Sequence, residues 1–252
     1  MKHISELSVD DLKDIKLLVF DVDGVIVPRG TKISTSNNIL TLETKKVSQE
    51  MILLIKKLSE LGFLINISSG RSLFMLLEMF REVLPFVSIT YENGSASWYK
   101  GVIHQHVNSF DKLRAVLSRL SSINHPMIKG FEPKELIVTI HCHDRVSLIE
   151  ELFSDEPDLY CLWNGEAYDI GIHDSQTKAQ GLIHLMKILN LNRDNVLAIG
   201  DNYNDKELLE ASGLSITCDK SRVSGDFFIE LLGDKLPGVV LSEKILSVSS
   251  SS

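Results

Sequence analysis

The sequence predicts an α/β fold, a Rossmann-like parallel sheet interrupted by a smaller α+β module. Three observations carry this. Short apolar runs alternate with helical stripes from residue 16 to residue 90. Hairpin patterns replace that rhythm between 94 and 174, and the first pattern returns from residue 178. Strands alternating with helices favour a parallel sheet with right-handed crossovers.

KLLVF (16–20) has the continuous apolar character of a parallel strand covered on both faces. Residues 49–61 carry apolar side chains at 51, 52, 54, 55, 58 and 61, a helical stripe that Gly62 stops. FLINI (63–67) is the second strand, 72–84 a helix closed by Pro85, and FVSIT (86–90) the third strand. Residues 95–107 then read as a hairpin turning at Lys100-Gly101. An amphipathic helix at 109–121, a strand at 135–143, a helix at 144–153 and a hairpin at 160–173 turning at Asn164-Gly165 follow. Residues 178–189 form a helix, 195–200 a strand, 205–212 a helix stopped by Gly213, and 214–217 a strand; GVVLSEKIL near the end reads as helical. The expected division is a core of 1–93 and 175–252 around an insert of 94–174, with 248–252 as a disordered tail.

At 252 residues and 44% hydrophobic, the chain can bury a substantial core. A net charge of −8 argues against nucleic-acid or anionic-membrane partners but leaves a small phosphorylated metabolite open, because a bound cation can reverse the local sign. Three scattered cysteines without CxxC spacing, a polar opening stretch and no apolar run near the ~20 residues of a membrane span point to a soluble cytoplasmic protein with reduced thiols. Oligomeric state is left open.

Four short stretches fall at strand ends or helix starts, where ligands bind in open α/β sheets: DVDG (21–24), SSGR (68–71), Lys178 and GDNYND (200–205). Unpaired acids beside an apolar strand are costly, so Asp21 and Asp23 need compensation. One phosphoryl group accounts for all four stretches. Asp21 is the candidate nucleophile, forming an aspartyl-phosphate. Asp23 would protonate the leaving oxygen and then deprotonate water. Asp201 and Asp205 add hard oxygen ligands that suit Mg2+. Ser69 and the Gly70 amide suit the phosphoryl oxygens, and Lys178 would neutralise Asp21 and the transferred charge. Each stretch alone reads as a turn, a helix cap or a surface lysine; their joint order and placement point to a site. His141 and His143 alternate on a strand without a third ligand and read as structural or solvent-facing, and His104 and His106 as solvent-facing. Trp98 and Trp163 read as packing residues.

These residues resemble the motifs of the haloacid dehalogenase superfamily of phosphotransferases along nearly the whole chain. DVDGV matches its DxDG(T/V) signature, SSGR its Ser/Thr motif, Lys178 its basic motif and GDNYND its acidic motif. The insert after the third core strand, announced by YENGS (91–95), resembles the C2 cap of the Cof-type branch. The resemblance implies Mg2+ held by the Asp21 carboxylate, the Asp23 backbone carbonyl and Asp201, with Asp205 in support and Asn204 near the phosphate. Arg71 is placed toward the substrate. The implied activity is phosphomonoester hydrolysis of a sugar phosphate or similar; a phosphomutase, or a silent binding protein, are the alternatives. Val25 replaces the commoner threonine, 26–48 is longer than usual in the branch, and LSITCDKSR (214–222) departs from the family pattern.

Overall fold

The computed structural model describes residues 1–30, 32–36, 39–230 and 233–250. The chain starts with β1 (Lys2–His3) and a short α1 (Val9–Leu12) before β2 (Leu17–Asp21). A hairpin of β3 (Lys32–Ser36) and β4 (Ile39–Glu43) follows, occupying the long stretch after the first motif. Next come α2 (Gln49–Glu60), β5 (Leu64–Ser68), α3 (Leu73–Met79) and β6 (Val87–Tyr91). The Ser48 hydroxyl accepts the Met51 N–H at 3.1 Å and caps α2. The hairpin of β7 (Ala96–Tyr99) and β8 (Val102–Gln105) leads to α4 (Phe110–Ser121), β9 (Ile128–Glu132), β10 (Val138–Cys142), α5 (Ser147–Phe153), β11 (Leu159–Trp163) and β12 (Ala167–Ile172). The chain then returns through α6 (Lys178–Leu189), β13 (Val196–Gly200), α7 (Lys206–Ala211), β14 (Leu214–Thr217), β15 (Phe227–Phe228) and α8 (Pro237–Ser249).

Among the described residues the main sheet has nine strands in the order β1-β15-β14-β13-β2-β5-β6-β7-β8, parallel except for β7 and β8. Side-chain alternation along β2 explains why it is apolar without a break. Leu18 and Phe20 enter one hydrophobic cluster with Met51, Ile55 and Leu58 of α2 and Leu241 and Ile245 of α8. Leu17 and Val19 enter another with Leu182 and Leu185 of α6 and Leu208 of α7. Both faces of the strand are therefore dry. A second, four-stranded antiparallel sheet, β11-β12-β10-β9, buries Val138, Ile140, Tyr168 and Ile170 against Leu113, Val116 and Leu120 of α4 and Ile149 and Phe153 of α5. No described helix is long and apolar enough to cross a membrane.

The first linker between the sheets is unusual. Glu92, Asn93 and Gly94 all have positive φ (47°, 53° and 83°). The buried Glu92 carboxylate accepts the backbone N–H groups of Glu135, Leu136 and Ile137 at 3.2, 2.5 and 3.1 Å, and its pKa is raised, burial outweighing those bonds. On the return linker, Gln176 Nε2 donates to Ser95 Oγ at 2.8 Å and to the Leu136 carbonyl at 2.6 Å. The two crossings are thus stitched to each other and to the second sheet.

Three expectations need correction. The hairpin at 95–107, placed in the insert from its sequence, extends the main sheet, because β7 pairs antiparallel with β6. The second sheet is instead completed by β9, whose Ile-Lys-Gly-Phe-Glu run has no alternating apolar pattern to announce it. The expected tail at 248–252 is helical as far as Ser249, since Leu246 and Val248 pack on the main cluster; residues 251 and 252 lie outside the described ones.

Finally, His106 is half-buried rather than solvent-facing. Its ring stacks on His184 with centroids 4.4 Å apart, and its Nε2 lies 2.9 Å from Ser97 Oγ. Burial first, then His184 and His104, lower its pKa to about 4. The unfolded chain therefore takes up the proton more readily, and stability present above about pH 6.5 is lost as pH falls toward 4. His106→Asn, which keeps a hydrogen-bonding group toward Ser97, is expected to remove about 1–2 kcal/mol of this acid-side loss, allowing for a partly solvated ring. Melting temperatures of both proteins from pH 7.5 to 4.5 check this; parallel curves would refute it.

Candidate active site

β13, β2 and β5 lie side by side and parallel, so their carboxyl ends deliver three loops to one place. Asp21 ends β2 opposite Ser68 of β5, and Asp201 follows the last residue of β13. Beyond Asp21 the chain turns tightly: the Gly24 N–H donates to the Val27 carbonyl at 2.7 Å and the Val27 N–H to the Val22 carbonyl at 3.0 Å. Gly24 has φ +85°, and a Cβ there would fall 1.8 Å from Asp201 Oδ2. Only glycine lets these two acidic loops approach so closely.

The fourth stretch arrives from α6. The Thr177 hydroxyl caps that helix by accepting the Gln180 N–H at 3.2 Å, which sets Lys178 on its first turn, facing inward. Lys178 Nζ donates to Asp21 Oδ1 and to Asp205 Oδ1, each at 2.6 Å, with the ammonium wholly buried. The other Asp205 oxygen accepts the N–H groups of Asp201 (3.0 Å) and Asn202 (3.1 Å), so this acid organises the GDNYND loop. Asp23 is held away from this cluster by Arg71, whose Nε and Nη2 reach its two oxygens at 2.9 and 2.7 Å. Ser69 is buried; its N–H donates to the Thr90 carbonyl at 2.9 Å and its hydroxyl accepts the Arg71 N–H at 3.2 Å. Ser69, Gly70, Arg71 and Asn204 all line the cavity that holds Asp21 and Asp23, and Asn204 Oδ1 is buried without a hydrogen-bond partner. Every candidate catalytic, phosphate-binding or metal-binding residue named from the sequence thus reaches this one locality, with Asp205 behind the wall.

Burial pushes the Asp21 carboxyl well above the usual range, aided by Asp205 and Asp201 and opposed by Lys178. Burial also raises Asp201 to about 6, against the pull of Arg29. Lys178 loses to burial but gains more from Asp205 and Asp21, so its pKa is raised and it stays charged. Three acids thus meet two cations, Lys178 and Arg29.

That donor set fits a hard divalent ion. Oxygens of Asp21, Asp201 and Asp205 all lie within 4.8 Å of one another and are buried, and Asp201 Oδ1 has no hydrogen-bond partner. Carboxylate oxygens are the ligands magnesium prefers. The Asp23 carboxylate is not among them.

The cavity, about 310 Å³, is closed on the far side by the second sheet: Glu132, Lys134, Thr139, His141 and Asp169 line it together with Asp21. His141, expected to be structural or solvent-facing, is therefore part of the wall. Arg29 was also missed; its Nε reaches Asp201 Oδ2 at 2.6 Å and its Nη2 the Asp201 carbonyl at 2.9 Å. Its position eight residues after Asp21 was the available signal. The second-sheet residues carried none, because strand register alone brings them together.

Known proteins share sequence and fold with this chain. The sequence profile of the haloacid dehalogenase-like hydrolases matches residues 18–129 and 103–222. A phosphoglycolate phosphatase of Sulfolobus acidocaldarius is 24% identical over 219 residues, covering 84% of this chain and 89% of that one. Among solved structures, a phosphatase of the haloalkanoate superfamily from Bacteroides thetaiotaomicron superposes with a TM-score of 0.68 at 18% identity, covering 97% of this chain and 99% of its own. A subclass IIB sugar phosphatase superposes with a TM-score of 0.66 at 12% identity, covering 94% and 99%. These structural likenesses establish a shared fold, and the profile match over most of the chain places it among the haloacid dehalogenase-like hydrolases.

Proposed function

We propose that the chain is a magnesium-dependent phosphomonoester hydrolase in which Asp21 takes the phosphoryl group of a small organic phosphate. The observation that carries the reading is the Lys178 ammonium, joined at 2.6 Å to both Asp21 and Asp205 inside a buried acidic cluster. So costly an arrangement is hard to explain as a folding device. An Asp21 oxygen forms a bond to phosphorus as the bond to the leaving oxygen breaks, and Asp23 gives that oxygen its proton. Asp23 then takes a proton from water, whose oxygen attacks phosphorus and frees Asp21. Arg71 orients Asp23 and must yield one of its two oxygens for each transfer. Ser69 and the Gly70 N–H, at the end of β5, hold phosphoryl oxygens with Asn204. Magnesium, held by Asp21, the Asp23 carbonyl and Asp201 with Asp205 in support, would supply positive charge against the phosphoryl group.

The second sheet acts as a cap that excludes water. Its closeness supports this: a Cβ on Gly30 of the core would lie 3.2 Å from Glu166 Oε1 of the β11–β12 turn. The phosphatase names of the relatives point the same way. Chelation is the direct test. Phosphate release from p-nitrophenyl phosphate should fall to background in excess EDTA and return with added Mg2+; turnover indifferent to chelation would remove the metal from the reading.

A further inference from the structure

The cavity wall opposite Asp21 is built as a row. Register pairs Glu132 of β9 with Thr139 of β10, and Thr139 with Asp169 of β12. Pleating therefore sets all three on one face, while Val138, Ile140, Tyr168 and Ile170 turn to the other and fill the apolar cluster under α4 and α5. Lys134, just past β9, lies over the row, with Nζ 2.8 Å from Thr139 Oγ1, 3.5 Å from Glu132 Oε1 and 3.6 Å from Asp169 Oδ1. Thr139 Oγ1 also donates to Asp169 Oδ1 at 2.5 Å. His141 Nε2 lies 2.8 Å from Glu132 Oε2, and its Nδ1 is buried without a partner. The side chains of Lys134, Glu132, His141 and Asp169 are all at least nine-tenths buried.

The row sets two carboxylates, Glu132 and Asp169, against one ammonium, Lys134. Burial works against the Lys134 ammonium, but Asp169, Glu132 and Glu92 more than offset it, so it stays charged. Burial likewise works against the Glu132 carboxylate, and Lys134 and His141 hold it ionised. Such a network is expensive to bury and adds nothing to the hydrophobic cluster on the opposite face. It offers donors and acceptors at fixed points with no cation to spare. A hydroxyl, which both donates and accepts, can bond to it. A carboxylate or second phosphate would meet Glu132 and Asp169, with the one ammonium between them already shared. A distal ammonium would meet Lys134 instead.

We propose that Glu132, Lys134, Thr139, His141 and Asp169 form the leaving-group site and select a neutral, hydroxyl-bearing leaving group, rejecting phosphate esters with a second anion at the far end. The inference rests on the hydrolase reading above and narrows it, since phosphoglycolate-like and bisphosphate substrates are refused. A cavity of about 310 Å³ lies at the small end of ligand sites and suits a single monosaccharide-sized group.

Sorbitol 6-phosphate and 6-phosphogluconate are matched open chains that differ in a terminal hydroxymethyl against a carboxylate. With Mg2+, kcat/KM should favour sorbitol 6-phosphate by about 10²-fold or more, the cost of setting like charges together. Equal rates, or preference for the acid, would overturn the proposal while p-nitrophenyl phosphate turnover dependent on Asp21 kept the hydrolase reading intact. No turnover of p-nitrophenyl phosphate would sink both. Glu132→Gln keeps the shape but removes one of the row's two negative charges, so the ratio should shrink about tenfold, mainly through KM. A purely structural role would lower both substrates alike and leave the ratio unchanged, which would also count against the site.

Discussion

Asp21→Asn is expected to lower phosphate release from p-nitrophenyl phosphate by about 10³-fold or more, to near background, because an amide cannot take up and then release a phosphoryl group. The substitution preserves shape, and its oxygen can still accept from Lys178, so the fold should survive. A melting temperature close to wild type, measured alongside activity, would show that the loss is chemical. Wild-type enzyme quenched during turnover should carry acid-stable, base-labile phosphate on Asp21, and the variant none. Residual activity within about tenfold of wild type would mean that another group attacks phosphorus.

Lys178→Met should act on stability and catalysis together. The lysine bridges two buried carboxylates at 2.6 Å each, and removing one member of a buried charge pair costs about 3–5 kcal/mol. The pH dependence carries a definite sign. Asp21 already has a raised pKa, from burial first and then Asp205 and Asp201, and Lys178 is what opposes them. Without it the carboxyl is held protonated more strongly in the folded state. A carboxyl whose folded pKa exceeds its unfolded value loses stability as pH rises through the folded pKa and regains it below. Urea unfolding should therefore show the full deficit near pH 7.5 and a smaller one near pH 5. A deficit that grew on acidification would show that Lys178 is not the partner holding Asp21 ionised. Phosphate release should fall about 10²–10³-fold, since the transferred charge loses its fixed cation.

Much of the molecule could be read along the chain. The alternation of KLLVF, the 49–61 stripe, FLINI and FVSIT encodes a parallel core, because strands buried on both faces are apolar along most of their length, and the mid-strand exceptions, Asn66 and Ser88, bond to each other at 3.0 Å. For the same reason DVDG, SSGR and GDNYND were visible: acids and glycines at the ends of apolar runs are conspicuous. Other features gave no such signal. β7 and β8 look the same whether they pair with β6 or with a separate sheet, and β9 has no periodicity at all. The hairpin of β3 and β4 occupies a stretch that reads only as a long polar connection.

By itself the sequence determined the fold class, the family and the residues gathered at the carboxyl ends of β2, β5 and β13, because local periodicity and short motifs are written in neighbouring positions. Tertiary structure alone decided that Arg71 grips Asp23, that Arg29 meets Asp201 from 172 residues away, and that Glu132, Thr139 and Asp169 share one row facing the site. Those relations depend on strand register and on how two sheets close over a cavity. A one-residue slip of β10 would turn Thr139 and His141 away and leave the motifs in the chain untouched.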